Sequence, residues 1–540
     1  MHYPNDFAYF KRTNFNHPRG LQVFKDTPIH MPSTRQFEIR LTQRLLKFCQ
    51  NTIHGVNHIW EPRTRPAVRV FWCLIVTAAL VGCIILYNTV TQRHREGILV
   101  TVVETSHLPI QTIHFPAVAV CPVYRINWMR YKAAEERFLP RYAAKEANSA
   151  FYHLLMLLER MTFTRLNLIA EFLEVKRVPR SVRNIELSEV AKFMSLRCDA
   201  IFSWCIFDKT QMDCCKIFVP EITSRGVCLV FNSVISKESS IKKLTDSFYP
   251  WRSRSSGEGS GLSFGLHYNR SLMRPGSQNP FVFTLLIKDD DEWSDTLFHI
   301  IQKNTHNSFM VTPTITETAR STRHLDPAKR KCVFSDEIST KYDHIEGLEF
   351  KKINCLIRCE QRYLIEACNC TMSMFFPEIS SQPECKVSDL RCIYENWDIF
   401  TYLKEPLQDE YMNDTRRGMT CDCVDGCKSL LYLVELNVIG LPNANDSLPE
   451  ISAEIYFAKN TLTKYAARLQ YTYLDLISNF GGILTLFLGA SILSFVEIGY
   501  AIVRELFIFS LYKLTTRKKK RRIHVVKSNR PPTPYSKMSK

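Results

Sequence analysis

The chain has 540 residues and a formal net charge of +17, enough length for several domains and enough charge to invite a nucleic-acid reading. The charge is not evenly spread. Residues 1–69 hold eleven basic and four acidic side chains, residues 513–540 hold eleven basic and no acidic ones, and −1 is left for residues 70–512. Basicity confined to two tails excludes a nucleic-acid surface and points instead to membrane flanks.

Residues 1–69 form a polar tail containing Pro and His, with some apolar periodicity around Phe37–Phe48 and no apolar run of the kind a signal peptide needs. Val70–Tyr87 then runs 18 residues without a charge. A bilayer core about 30 Å thick takes about 20 apolar residues, so a first transmembrane helix is expected over 70–90, acting as its own insertion signal. Residues 91–473 are expected to be one large domain outside the cell. Its first third is helical in pattern over Trp128–Val175, with Leu154, Leu157, Leu158 and Met161 at helical spacing. Ser253–Ser263 reads as an exposed Gly/Ser loop. Phe281–Lys288, Ser308–Thr316, Leu430–Ile439 and Glu454–Tyr456 read as strands. The fold class is α+β. A second apolar stretch, Leu476–Val503, carries one carboxylate, Glu497, and a second transmembrane helix is expected over 474–512. The tail 513–540 opens with Arg517–Arg522 and ends Pro-rich. Positive flanks stay on the cytoplasmic side, so both termini are expected there, in a two-span plasma-membrane protein. The basic run serves first as a topology anchor, with anionic membrane lipid as an added partner.

Of 19 cysteines, only Cys49, Cys73 and Cys83 lie outside the large domain, and the remaining sixteen are an even number in an oxidising compartment. Disulfides are therefore expected rather than a metal site, although close Cys pairs do ligate zinc. Cys355 and Cys359 are four apart, as on one helix face, and Cys421 and Cys423 two apart, as on one strand face. A helix laid against an antiparallel strand suggests Cys359–Cys421 and Cys355–Cys423, with Cys332–Cys427 outside them and Cys368–Cys392 and Cys370–Cys385 closing the far end. Spacing leaves roughly a thousand connectivities open for these ten. The sequons at Asn269, Asn413 and Asn445 fit glycosylation outside the cell.

In the second apolar stretch, Ser478, Gly482, Thr485 and Gly489 follow one another at spacings of 4, 3 and 4. Such a stripe serves close helix packing in most membrane proteins. Glu497 favours a water-filled path, since a carboxylate at membrane depth is costly, although Arg504 could pair with it. In a symmetric oligomer one stripe becomes a ring, which is how channels strip and select cations.

Cys355-Leu-Ile-Arg-Cys359-Glu-Gln-Arg-Tyr-Leu-Ile-Glu-Ala-Cys368-Asn-Cys370 resembles the thumb region of the degenerin/epithelial sodium channel family, which includes the acid-sensing channels. Phe115-Pro-Ala-Val-Ala-Val-Cys121, Gly226-Val-Cys228-Leu-Val-Phe231-Asn232 and Thr52-Ile-His54-Gly55 resemble three more of its motifs. The likeness runs from about residue 40 to 505 and is nearest to the insect pickpocket branch. It implies an acid-sensing-channel-like trimer with a thumb-like disulfide ladder over 332–427, nested as above, and a Cys121–Cys228 bridge. Cys198, Cys205, Cys214 and Cys215 would make two more bridges whose pairing stays open, with Cys205–Cys214 and Cys198–Cys215 expected. Gly489-Ala490-Ser491 matches the family's selectivity tripeptide, where the helix breaks. Ser478 falls at the degenerin position, with Asn479 and Gly482 near the gate. His54 and Gly55 match a re-entrant segment of the lower pore, towards which Glu497 also falls.

The chain departs from the acid-sensing channels at Asn479, Lys329 and Tyr500, and Pro531–Tyr535 is not the ubiquitin-ligase motif of the epithelial channels, so neither proton gating nor that regulation is inferred. The resemblance implies a pore-forming subunit of a sodium-selective, amiloride-sensitive, voltage-independent cation channel of sensory or epithelial cells. It would pass Na+, need no cofactor, form homo- or heterotrimers with related subunits and be gated through its extracellular domain, with an extracellular ligand or matrix as a candidate partner and the stimulus (ligand, force, osmolarity or protons) left open. No nucleophile constellation, phosphate loop or metal motif supports an enzyme. The rivals are a non-conducting two-span receptor or adhesion protein, and an ATP-gated purinergic-type channel.

Overall fold

The structure is a computed structural model that describes residues 54–61, 64–174, 178–267, 269–277, 282–293, 297–338, 341–404, 415–441, 451–491, 493–497, 499–504, 506–508, 510–511 and 514. Contacts divide the chain into two units, residues 97–470 and the two flanking segments together.

In the flanking unit, helix α1, Pro66–Glu96, has 31 residues, several turns more than the uncharged run predicts. Proline is tolerated at a first helical position, and Gly97, with φ +62°, stands just past the end, so backbone chemistry rather than hydropathy sets the limits. This helix is long and apolar enough to cross a membrane. The second apolar stretch is not one helix. It forms Tyr473–Leu488 and a further piece, Leu493–Ile508, bent by 81° across the break.

The unit 97–470 holds fifteen described strands. They are β1 (Leu99–Pro109), β2 (Ala117–Pro122), β3 (Phe202–Phe207), β4 (Thr210–Met212), β5 (Phe218–Thr223), β6 (Gly226–Phe231), β7 (Leu262–Leu266), β8 (Phe283–Lys288), β9 (His299–Ile301), β10 (Thr305–Thr318), β11 (Cys332–Val333), β12 (Asp425–Gly426), β13 (Lys428–Gly440), β14 (Ile451–Phe457) and β15 (Thr461–Leu469). Eight form one sheet in the order β1-β15-β10-β14-β7-β3-β4, with β13 also on β10. Five form another, β5-β6-β2-β8-β9, and β11 and β12 make a short parallel pair. Strand β2 is buried at every position, which suits the centre of a covered sheet. The core between the sheets is aromatic: Phe115 meets Phe207, Phe231 and Phe457 edge-on.

The stretch Trp128–Val175 is helical in pieces, Tyr131–Phe138, α2 (Lys145–Arg160) and shorter turns to Leu173. Pro140 lies in the gap between the first two, where its missing N–H and the restraint on Leu139 end the first helix. Leu154, Leu155 and Leu158 of α2 pack with Ile357 and Leu364 of helix α3, Lys352–Cys368, and with Ile393 and Phe400 of helix α4, Leu390–Thr401, in one core.

Two expectations need correction. Ser253–Ser263 is not simply an exposed loop. Ser253 and Ser260 are buried, the Ser253 hydroxyl donates to the Ser260 carbonyl at 3.0 Å, and Ser263 already belongs to β7. A glycine at 261 lets the backbone pass against the Ile455 carbonyl, where a Cβ would collide. Cys421 and Cys423 are not on a strand either: residues 421–424 form no ladder, and pairing starts only at Asp425. Bonds to α3 hold that segment instead.

Candidate functional site: a broken apolar helix and a disulfide-knit domain

Sixteen cysteines form eight disulfides: Cys121–Cys228, Cys198–Cys215, Cys205–Cys214, Cys332–Cys427, Cys355–Cys423, Cys359–Cys421, Cys368–Cys392 and Cys370–Cys385. Cys355–Cys423 and Cys359–Cys421 staple α3 to the 421–427 segment, Cys368–Cys392 staples α3 to α4, and Cys332–Cys427 ties β11 to the same segment. Asn269 is exposed and caps a short turn, its side-chain oxygen accepting from the Ser271 amide at 3.1 Å. Asn413 and Asn445 lie outside the described residues.

The acidic turn Asp289-Asp290-Asp291 after β8 escaped sequence reasoning, although the run itself was visible. Its carboxylates lie within 4.8 Å of one another. Lys351, the residue capping α3, pairs with Asp289 and Asp291, and the Asn354 side chain donates to the Asp291 carbonyl at 2.9 Å. His114 meets Asp290 at 2.7 Å. Burial pushes the Asp291 carboxyl up to about 6 against the pull of Lys351. Burial acts on Asp290 in the same sense, but His114 together with Lys351 and Lys243 offsets it and leaves Asp290 below the usual carboxylate value. The turn thus ties α3 to the five-stranded sheet.

In the flanking unit the helix Tyr473–Leu488 is labelled α5. It opens with a capping box, the Asp475 amide donating to the Thr472 hydroxyl at 3.3 Å and Asp475 accepting from the Thr472 amide at 2.9 Å. One face packs on α1: Phe480 stacks on Tyr87 with ring centres 4.7 Å apart, Phe487 lies against Gly82, and Leu488 packs with Cys83. Ser478, Gly482 and Thr485 are exposed, and neither Gly481 nor Gly482 has anything within 4 Å of a built Cβ. The small-residue stripe therefore does not serve packing between these two helices. Asn479 is partly buried, off that stripe.

The break itself is closed on both sides. Gly489 ends α5 in the left-handed region at φ +64°, where a side chain costs about 1–2 kcal/mol. Its amide donates to the Thr485 carbonyl at 3.0 Å, and the Thr485 hydroxyl donates to the Gly481 carbonyl at 2.7 Å. Across the break, the Ser491 amide donates to the Ser494 hydroxyl at 3.2 Å, and the Ser494 amide donates to the Ser491 carbonyl at 3.0 Å. Ala490 is buried and Ser491 exposed. The His54 amide donates to the Leu488 carbonyl at 3.0 Å, and a Cβ on Gly489 would overlap the His54 ring. Gly55, at φ +87°, turns the chain next to Trp72 and Val76 of α1. The structure thus brings His54 and Gly55 to the break at Gly489-Ala490-Ser491. Glu497 and Arg504 are both exposed on the second piece, and no ion pair joins them among the described residues. Ser478 and Gly482 lie two to three turns before the break.

A long apolar helix, a second apolar stretch interrupted at small residues, and a large disulfide-knit domain between them in the chain fit a membrane protein. Residues 48–501 match the family model described as amiloride-sensitive sodium channel. Pickpocket protein 19 of Drosophila melanogaster is 38% identical over 498 residues, covering 91% of this chain and 95% of that protein. Sodium channel protein Nach of the same species is 24% identical over 474 residues, covering 84% and 85%. The chain belongs to the amiloride-sensitive sodium channel family, also called the degenerin/epithelial sodium channel family, beside its pickpocket and Nach members. Its members are ion channels, not enzymes. A solved structure titled as a proton-activated chloride channel covers 82% of this chain and 98% of that one at 7% identity, with a TM-score of 0.27, too low a likeness to argue from.

Proposed function

We propose that this chain is a pore-forming subunit of a trimeric, sodium-selective, amiloride-sensitive cation channel of the plasma membrane, insensitive to voltage and gated through its large domain. The observation that carries the reading is the capped break at Gly489-Ala490-Ser491 with the His54 segment bonded to it. Repeated around a three-fold axis, the break would place three sets of backbone carbonyls where a cation sheds water. In the same reading the exposed stripe of Ser478, Gly482 and Thr485 would line the path, Ser478 and Gly482 near a gate beside Asn479, with Glu497, His54 and Gly55 at its inner end. In this reading the spans lie over 70–90 and 474–512, as the apolar runs suggest, and the charge asymmetry of the tails puts both termini on the cytoplasmic side. The capping histidine segment and the unpacked stripe support a conducting role over a mere anchor.

Expression of Ser478→Val in oocytes, alone and with pickpocket-type partner subunits, tests this. A bulky residue at an exposed position of the path should hold it open and give a constitutive sodium current blocked by amiloride. Absence of that current in every combination, with the protein at the cell surface, would overturn the reading.

A further inference from the structure

The hairpin turn between β5 and β6 collects three arginines from three separate elements. Arg225 sits in the turn itself, its amide bonded to the Thr223 hydroxyl at 3.1 Å. Arg125, just after β2, lies across the next residue: a Cβ on Gly226 would stand 3.1 Å from its Cδ and 3.4 Å from its Nε. Arg165 comes from the kinked turn Phe163–Leu168, which is pinned to the same hairpin by a 3.4 Å bond from the Phe163 amide to the Ser224 carbonyl.

Their partners are unequal to their charge. Arg125 donates one guanidinium N–H to the Met161 carbonyl at 2.6 Å, and its Nε is buried with no hydrogen-bond partner. Arg225 lies over the Phe298 ring at 3.5 Å, a cation–π contact that leaves its N–H groups unspent. Arg165 is exposed at the mouth of the cluster. Among the described residues none of the three forms an ion pair. The carboxylate of nearby Glu159 accepts from the Trp128 indole at 2.7 Å, and burial shifts it towards its neutral form. Burial and the charges of Arg225 and Arg165 bring the Arg125 guanidinium down to about 9. Three like charges in a half-buried site repel, and an anion between them would relieve the repulsion and use the idle donors.

We infer that the cluster of Arg125, Arg165 and Arg225 at the β5–β6 turn is a binding site for a small oxyanion of the phosphate or sulfate type. The planar guanidinium fork matches the paired oxygens of such a group better than a spherical halide. Arg225 and Arg165 supply the open donors, and Arg125 closes the floor beside Gly226 and Phe375.

The test uses the purified full-length chain in detergent micelles at constant sodium and ionic strength. Low-millimolar sodium sulfate or phosphate, replacing gluconate, should raise the thermal midpoint saturably by several degrees, and equilibrium dialysis with labelled sulfate should show one site per chain. Arg165→Gln with Arg225→Gln should cut affinity at least tenfold. Should the double variant misfold, Arg165→Gln alone, at an exposed position, should still weaken binding severalfold. Absence of saturable binding, equal binding by the variants, or a response to chloride or to an acidic peptide in place of sulfate would each overturn the assignment.

Discussion

The two units of this chain solve opposite problems. Residues 97–470 close largely upon themselves: eight disulfides, a five-stranded sheet whose β2 and β8 are buried at every position, and even a lysine and a glutamate hidden together, Lys288 and Glu221 at 2.8 Å with side chains 0% and 1% exposed. The flanking unit does the reverse. Its helices leave Leu74, Ile84, Leu486, Phe495 and Phe507 exposed, and its glycines at 481 and 482 face open space. Apolar surface of that extent needs lipid or further protein around it, as expected of spanning helices. One unit is specified by internal contacts, and the other by what will surround it.

Substitutions can sharpen or break this contrast. The largest effect is expected at the hidden pair. Glu221→Ala strands a buried lysine charge and should cost about 3–5 kcal/mol, seen as loss of folded protein in melting or protease-protection assays. An unchanged melt would mean that water reaches Lys288 and that the sheet unit is less closed than described. Opening the Cys368–Cys392 bridge with paired serines, around a 24-residue separation, should cost about 2–4 kcal/mol by the same assay.

Gly489→Ala lies in the other unit. It adds a Cβ in a left-handed conformation, about 1–2 kcal/mol, and forces the His54 ring aside. Conduction or selectivity should change while the melting of the disulfide-knit domain does not, and a current with wild-type selectivity would count against the break as a filter. The last effect concerns pH. Asp291 has a folded pKa of about 6, above its ordinary 3.8, so its contribution to stability is complete below about 3.8 and lost as pH rises through about 6. Asp290, lowered, acts with the opposite sign, losing its contribution as pH falls below the ordinary value. Asp291→Asn should therefore flatten the pH dependence of stability between 3.8 and about 6.

Much of this was legible in the residues. Alternating or continuous apolar runs marked β8, β10, β13 and β14, because strand burial leaves a period of two or none. The cysteine pairs were less so: spacing only suggested the ladder, and the bridge from Cys121 to Cys228 came from resemblance, since a sequence separation of 107 carries no local signal. Buried Ser253 and Ser260 defeated the loop reading because a Gly/Ser run looks the same whether solvent or Ile455 covers it. Nothing local told of Lys351 reaching Asp289 and Asp291, which are brought together by tertiary folding alone. The break at Gly489 was visible as a motif, but its fastening to His54 was not.

The pairing of β1 with β15 sets a timetable for biosynthesis. Leu99 aligns with Leu469, and Pro109 with Thr461, so the first strand of the large sheet waits for nearly the whole domain to be made. At about 5–20 residues per second that wait is roughly 20–70 s. During it β1 has an open edge, while bridges such as Cys205–Cys214, nine residues apart, already have both halves available. The last strand then emerges just ahead of Tyr473, so closure of the sheet and delivery of the second apolar helix fall in the same moment of synthesis.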